Sequence, residues 1–218
     1  MKPSMKLFYF PLSTYSQKAL IALYEKGLAF EPELVNLAST EARAAFEAIY
    51  PIGKVPYLKY QGGTMGLPES TAIIEYLDEA HPDTPRLVPL DREAARQVRF
   101  SDRMCDLYVN EPVAELLFQK IGWRQVDDEK AARARKHLTA AFANMEQRLA
   151  QQDWLCGAFS MADCAAIPPL FYAQFVFPFA DRPALMRYWQ RAQQRPSYAK
   201  VMAEFVPLWE QRMAAPKT

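Results

Sequence analysis

Histidine and cysteine are scarce in this 218-residue chain, with two of the first and three of the second. His81 and His137 stand apart from each other and from any pair of cysteines, so a zinc site at the usual Cys/His spacings is excluded and no metal site is expected. Cys105, Cys156 and Cys164 are odd in number, widely spaced and set among apolar residues. They suit burial in a reducing compartment rather than a disulfide framework. No apolar run approaches the ~20 residues that span a bilayer, so no membrane partner is expected. The first residues, MKPSMKLFYF, contain neither a long apolar core nor a small-residue cleavage site, and the expected location is cytoplasmic. An excess of charge is missing too: 26 Lys and Arg face 25 Asp and Glu, which gives nucleic acid no electrostatic reason to bind. Internal repeats and low-complexity segments are absent.

What is present is apolar. Half of the residues are hydrophobic (50%), enough for a sizeable core, and the length falls between one domain and two. Two small domains sharing an interface are expected, and the texture of the chain agrees. Lys6 to Phe10 reads as a strand, and Pro11-Leu12-Ser13-Thr14 carries a helix start with Ser13 or Thr14 as N-cap. Helical spacing of Ala19, Leu20, Ile21, Leu23 and Tyr24 runs to Lys26-Gly27, a C-terminal stop. Phe30 to Leu37 reads as a second strand despite Pro32, and the crossover makes the two strands parallel. A helix from Ser39 ends at Pro51 and Gly53. Pro56–Tyr60 and Thr64–Gly66 form a hairpin around Gln61-Gly62-Gly63, and a helix from about Glu69 stops at His81-Pro82.

Residues 83–91 hold Pro85 and Pro89 without periodicity and read as a linker between a domain at 1–82 and one at 92–218. The second domain reads as wholly helical. Arg92 to Ile121 and Asp128 to Gln151 are long and charged, the first with Pro112 expected to kink or break it. Ser160-Met161-Ala162-Asp163 is a capping box, with Phe159 and Cys164 at the staple positions. The nearly all-apolar helix it starts should be the buried centre of this domain. Arg182–Gln194 and Ser197–Trp209 complete it. The fold class is therefore α/β plus all-α, with a βαβ-α-ββα unit first and a helical unit after it.

The residues within this layout resemble the glutathione S-transferase superfamily, with its thioredoxin-like first domain. Pro11-Leu12-Ser13-Thr14-Tyr15-Ser16, Tyr24-Glu25-Lys26-Gly27, Gly53-Lys54-Val55-Pro56 and Glu69-Ser70-Thr71-Ala72-Ile73 carry the likeness in the first half. Phe159-Ser160-Met161-Ala162-Asp163-Cys164 and Arg195-Pro196-Ser197-Tyr198 carry it in the second. The resemblance implies a cytosolic, bacterial-type transferase, a homodimer, that uses glutathione as co-substrate and needs no other cofactor. It implies a cis Val55–Pro56 peptide, whose Val55 N–H and C=O pair with the cysteinyl backbone of glutathione. Ser70 would hold the γ-glutamyl carboxylate, Glu69 would lie near its ammonium, and Lys54 would meet a glutathione carboxylate.

The nucleophile would then be the ligand's thiol, whose free pKa is ~8.5. Lowering it by about two units needs ~2.7 kcal/mol of anion stabilisation. One hydrogen bond to a charged group supplies roughly 1.5–3 kcal/mol, so one placed hydroxyl is sufficient. Ser13 stands where serine-type members carry theirs, five residues before Lys18. Tyr9 matches the tyrosine-type position, and Tyr15, near the cysteine of bacterial members, and Ser16 are further candidates. The second substrate would be a small hydrophobic electrophile received near Arg103, Met104, Leu107, Tyr108, Phe118 and Trp123. Asp163 is expected to be structural, its loss costing about 0.5–2 kcal/mol, and Cys164 a staple rather than a nucleophile. The Thr14-Tyr15-Ser16 segment also resembles the non-catalytic starvation-protein branch, which binds RNA polymerase.

Overall fold

Alternation along the first strand decides how the first unit is layered. In the computed structural model, which describes residues 5–125 and 127–214, β1 is Lys6–Tyr9. The outer limits of the two expected domains, 1 and 218, lie outside the described residues. Leu7 and Tyr9 face one side of the sheet and join the main core, whereas Phe8 faces the other side. The main face is covered by α1 (Thr14–Glu25) and α3 (Ser70–Ala80). Phe8 meets Phe46 of α2 (Thr40–Glu47) on the opposite face at 5.7 Å between ring centroids.

β1 pairs in parallel with β2 (Glu31–Leu34) and antiparallel with β3 (Tyr57–Tyr60), which pairs antiparallel with β4 (Met65–Pro68). The order is β2-β1-β3-β4. β2 is shorter than the run from Phe30 to Leu37 that the sequence offered, as suits an edge strand interrupted by Pro32; its glutamates Glu31 and Glu33 pair with Lys6 instead. β4 lies later than the Thr64–Gly66 segment the sequence suggested. A Cβ on Gly66 would stand 1.7 Å from the Tyr57 hydroxyl, so glycine is what lets Tyr57 lie across this strand.

The linker is pinned. The Asp78 carboxylate accepts from the Lys26 ammonium at 2.7 Å, from Leu87 N–H at 3.0 Å and from Val88 N–H at 2.7 Å. The second unit begins with α4 (Arg92–Cys105), capped by Asp91. Pro112 acts upstream of itself: with no N–H to give the Tyr108 carbonyl, and a ring that crowds it, the chain widens into a π-helical turn over Asp106–Asn110 before α5 (Glu111–Lys120). The Glu111 N–H reaches back five residues to the Asp106 carbonyl.

α6 (Asp128–Leu149), α7 (Met161–Val176), α8 (Pro183–Gln193) and α9 (Pro196–Ala214) follow. α7 is the buried centre, and the capping box at its start is present. Asp163 also accepts from Leu155 N–H and from the Tyr188 hydroxyl. Burial pushes its carboxyl up to about 6 even so. α7 contains Pro168 and Pro169, and α9 contains Pro207, all passed over in the sequence reading. The residues of α1 from Ser16 to Leu23 are buried throughout, because α3 covers one side of the helix and α7 and α9 the other. Among the described residues no helix is long and apolar enough to cross a membrane.

Candidate active site

Strand register brings three separated segments to one edge of the sheet. Tyr57 of β3 stands between Phe8 of β1 and Pro68 of β4. The loop leaving β1 toward Ser13, the Lys54-Val55-Pro56 turn entering β3 and the Glu69-Ser70 start of α3 therefore emerge side by side. The Val55–Pro56 peptide is cis.

Ser13 is the N-cap of α1. Its Oγ accepts from the Ser16 N–H at 3.2 Å, which leaves the hydroxyl proton without an acceptor among the described residues. A cap that accepts in one direction can donate in the other. Ser16, further in, is fully buried, and its Oγ accepts from the Phe10 N–H at 3.2 Å; it braces the loop.

The two tyrosines are committed elsewhere. Tyr9 is 2% exposed and donates to Glu204 of α9 at 2.5 Å. Burial, then the bond to Glu204, pushes its hydroxyl well above the ordinary tyrosine range. Tyr24 donates to the other oxygen of the same carboxylate, and burial raises it to about 12. Tyr15 donates to Glu111 at 2.7 Å, and burial with that bond raises it strongly. Both protons are thus held by carboxylates, and neither phenol ionises near neutrality.

Across the edge, Ser70 is buried as the first residue of α3, and Glu69 is exposed in front of it. Glu69 adopts φ 71° and ψ 119°, a left-handed conformation that glutamate disfavours. Neither side chain has a hydrogen-bond partner among the described residues, and the free N–H groups of the first helical turn favour an anion there. Lys54 is exposed on the neighbouring turn.

The six residues expected near a second substrate divide. Phe118 and Trp123 pack with tilted rings 5.5 Å apart, with the Arg212 guanidinium over Trp123 at 4.4 Å. An aromatic group of Phe171, Tyr172, Phe175 and Trp209 stands on α7 and α9. It reaches the site through the Tyr172 hydroxyl, which donates to the Leu12 carbonyl at 2.8 Å. Met104 and Tyr108 turn to α6. Tyr108 packs on His137, and Met104 lines a cleft of about 20 Å³ with Phe100 and Met145, room for a water but for no electrophile. Arg103 is exposed, as is Leu107 at 41%.

Sequence reasoning missed a buried group beneath the site. Asp102 and Asp106 lie on the stretch read as long and charged, and both are buried. Both meet the Lys18 ammonium, at 2.6 and 2.9 Å. Burial alone would lower Lys18, but the two carboxylates outweigh it and hold the ammonium above its usual value. Burial pushes Asp106 up to about 6, against the pull of Lys18 and with Asp102 adding to it. The i, i+4 spacing of the two aspartates was the available signal.

Comparison with known proteins agrees with this geometry. Residues 7–85 match the glutathione S-transferase N-terminal domain and residues 128–191 the C-terminal domain. The maleylacetoacetate isomerase of Pseudomonas aeruginosa is 34% identical over 179 residues, 78% of this chain and 82% of that protein. A zeta-class glutathione S-transferase of Euphorbia esula is 29% identical over 217 residues, 94% of this chain and 93% of that protein. A glutathione S-transferase of Methylobacillus flagellatus, solved with glutathione bound, superposes with a TM-score of 0.79 at 28% identity over 91% of this chain and 98% of that one. With matches in both halves and a layout shared from β1 to α9, the chain belongs to the glutathione S-transferase superfamily.

Proposed function

We propose that the protein binds reduced glutathione and activates its thiol for attack on a small hydrophobic electrophile, with Ser13 as the activating hydroxyl. The observation that carries this reading is the proton of Ser13 at the start of α1, which has no acceptor among the described residues, beside tyrosines whose protons are already held by Glu204 and Glu111. In this reading the Val55 backbone pairs with the cysteinyl unit, while Ser70 and the first turn of α3 receive the γ-glutamyl carboxylate. Glu69 meets the ammonium, and Lys54 the second carboxylate. A hydroxyl donating to the developing thiolate, with the helix N-terminus behind it, supplies roughly the 2.7 kcal/mol that two pKa units require. The aromatic wall of Phe118, Trp123, Phe175 and Trp209 receives the electrophile. The relative named as a maleylacetoacetate isomerase supports isomerisation as a second outcome open to the activated thiol.

Retention on immobilised glutathione and turnover of an aryl halide test the enzyme. Ser13→Ala should lower kcat/KM about ten- to a hundredfold and move the pH profile upward. An unmoved profile in Ser13→Ala alongside a shifted one in Tyr9→Phe would overturn the assignment. No retention at millimolar glutathione, with RNA polymerase co-purifying instead, would put the chain in the non-catalytic starvation-protein branch. The proposal includes a cytoplasmic homodimer, supported by Phe100 of α4 and Leu107 of the π-helical turn, both exposed; sedimentation reads the oligomeric state.

A further inference from the structure

Two helix starts must meet one ligand, and their separation needs a cause. Lys18 belongs to α1, as does the turn capped by Ser13, and it is 1% exposed. Thr71 belongs to α3 and directly follows Ser70. The Lys18 ammonium donates to Thr71 Oγ1 at 2.8 Å, and Thr71 donates to Asp102 Oδ2 at 2.8 Å. Asp102 Oδ1 returns to Lys18 at 2.6 Å, and Asp106 Oδ2 meets the same ammonium at 2.9 Å. The contacts close into a ring through α1, α3 and the stretch from α4 into the π-helical turn. The turn sets the phase of this stretch, and Asp106 stands at its first position.

Such a ring is stiff for a physical reason. Lys18, Asp102 and Asp106 are buried and charged, and the half-buried Thr71 bonds to both Lys18 and Asp102, so a shift of one helix leaves an unpaired charge in a dry interior. Stability alone gives weak grounds for burying three charges, because apolar side chains of the same volume would serve as well. Placement is what distinguishes this group: it lies between the two helix starts that the ligand must span, and small misplacements at reacting groups carry large rate effects.

We propose that Lys18, Thr71, Asp102 and Asp106 form a positioning ring that fixes the Ser13 helix start against the Glu69-Ser70 helix start. Through this ring the second domain sets the affinity for glutathione. The inference rests on the glutathione reading above.

Thr71→Val removes one hydroxyl at nearly constant volume and leaves the Lys18–Asp102 contact in place. It should raise the KM for glutathione about tenfold, leave the KM for a dinitrophenyl halide unchanged, and be rescued by Thr71→Ser. A purely structural hydroxyl would lower the folded fraction and kcat without moving that KM. Should Thr71→Val fail to fold, Asp106→Asn is the second variant; it keeps an acceptor for Lys18 and should raise the glutathione KM at least threefold, on the order of half a hydrogen bond. An unchanged glutathione KM in whichever variant folds, or a Thr71→Ser that fails to rescue, overturns the ring. The wild type is measured first. Absence of glutathione binding there fails the proposed function, whereas binding in the wild type that the variants do not alter fails the ring alone.

Discussion

A hydroxyl's chemistry is decided by what holds its proton. Tyr9 and Ser13 are four positions apart, yet one donates to a carboxylate 195 residues away and the other is free to donate. Tyr9→Phe should therefore act on the fold, leaving Glu204 with Tyr24 alone. We expect a loss of about 1–3 kcal/mol in denaturant unfolding and an unchanged pH profile of turnover. Asp106 makes a second case. Its folded-state carboxyl, at about 6, binds its proton more tightly than the ordinary 3.8 of an unfolded chain. The stability it contributes is complete below the lower value and is lost as pH rises through the upper one. The stability of Asp106→Asn relative to wild type should accordingly improve by roughly 1–3 kcal/mol between pH 4 and pH 7, read from denaturation midpoints. At this scale the sequence showed the cap to within one residue, Ser13 or Thr14, because Pro-Leu-Ser-Thr is a local signal. It could not show the partner of Tyr9 or the backbone of Glu69, which depend on distant packing.

Elements begin where local chemistry says they should and go wrong where a proline meets a packed neighbour. The starts of α1, α2 and α7 were legible, since Ser13, Ser39 and Ser160 each sit at an N-cap. Pro112 was legible as an interruption but not as a π-helical turn, because proline forbids one bond without dictating how the chain relaxes. Pro168 and Pro169 persist inside α7 where burial outweighs their helix-breaking tendency. Asp163 holds this helix more firmly than its capping box alone suggests. Its loss would strand the donors of Ser160, Leu155 and Tyr188. Asp163→Ala should therefore cost about 3–5 kcal/mol, above the cap-only figure, with glutathione KM unchanged in the protein that still folds; thermal melts and kinetics check this together.

The whole molecule is organised around α1, which belongs to the first unit by sequence and is enclosed by the second. Glu25 accepts a paired contact from Arg195, Lys26 ties α1 to the linker through Asp78, and Glu204 ties α9 to β1. The units should therefore unfold together. All four tryptophans, Trp123, Trp154, Trp189 and Trp209, lie in the second unit. Their fluorescence and the loss of glutathione binding by the first unit should trace one coincident urea transition, and separated midpoints would contradict the shared core. The α/β-then-α layout was readable from periodicity. The interface was not, because the stretch from Arg92 reads only as long and charged, and its two buried aspartates, Asp102 of α4 and Asp106 of the π-helical turn, find their partner on a helix more than 80 residues earlier, at a separation of 88 for Asp106.

Glu69 carries an evolutionary consequence. At φ 71° glycine would be the easier residue, so Glu69→Gly should gain up to about 1 kcal/mol of stability while removing the carboxylate proposed to meet the glutathione ammonium. A library selected for heat tolerance alone would drift toward glycine here, whereas one selected for growth on a toxic electrophile would keep the acid. Position 69 thus reports which pressure a lineage has been under.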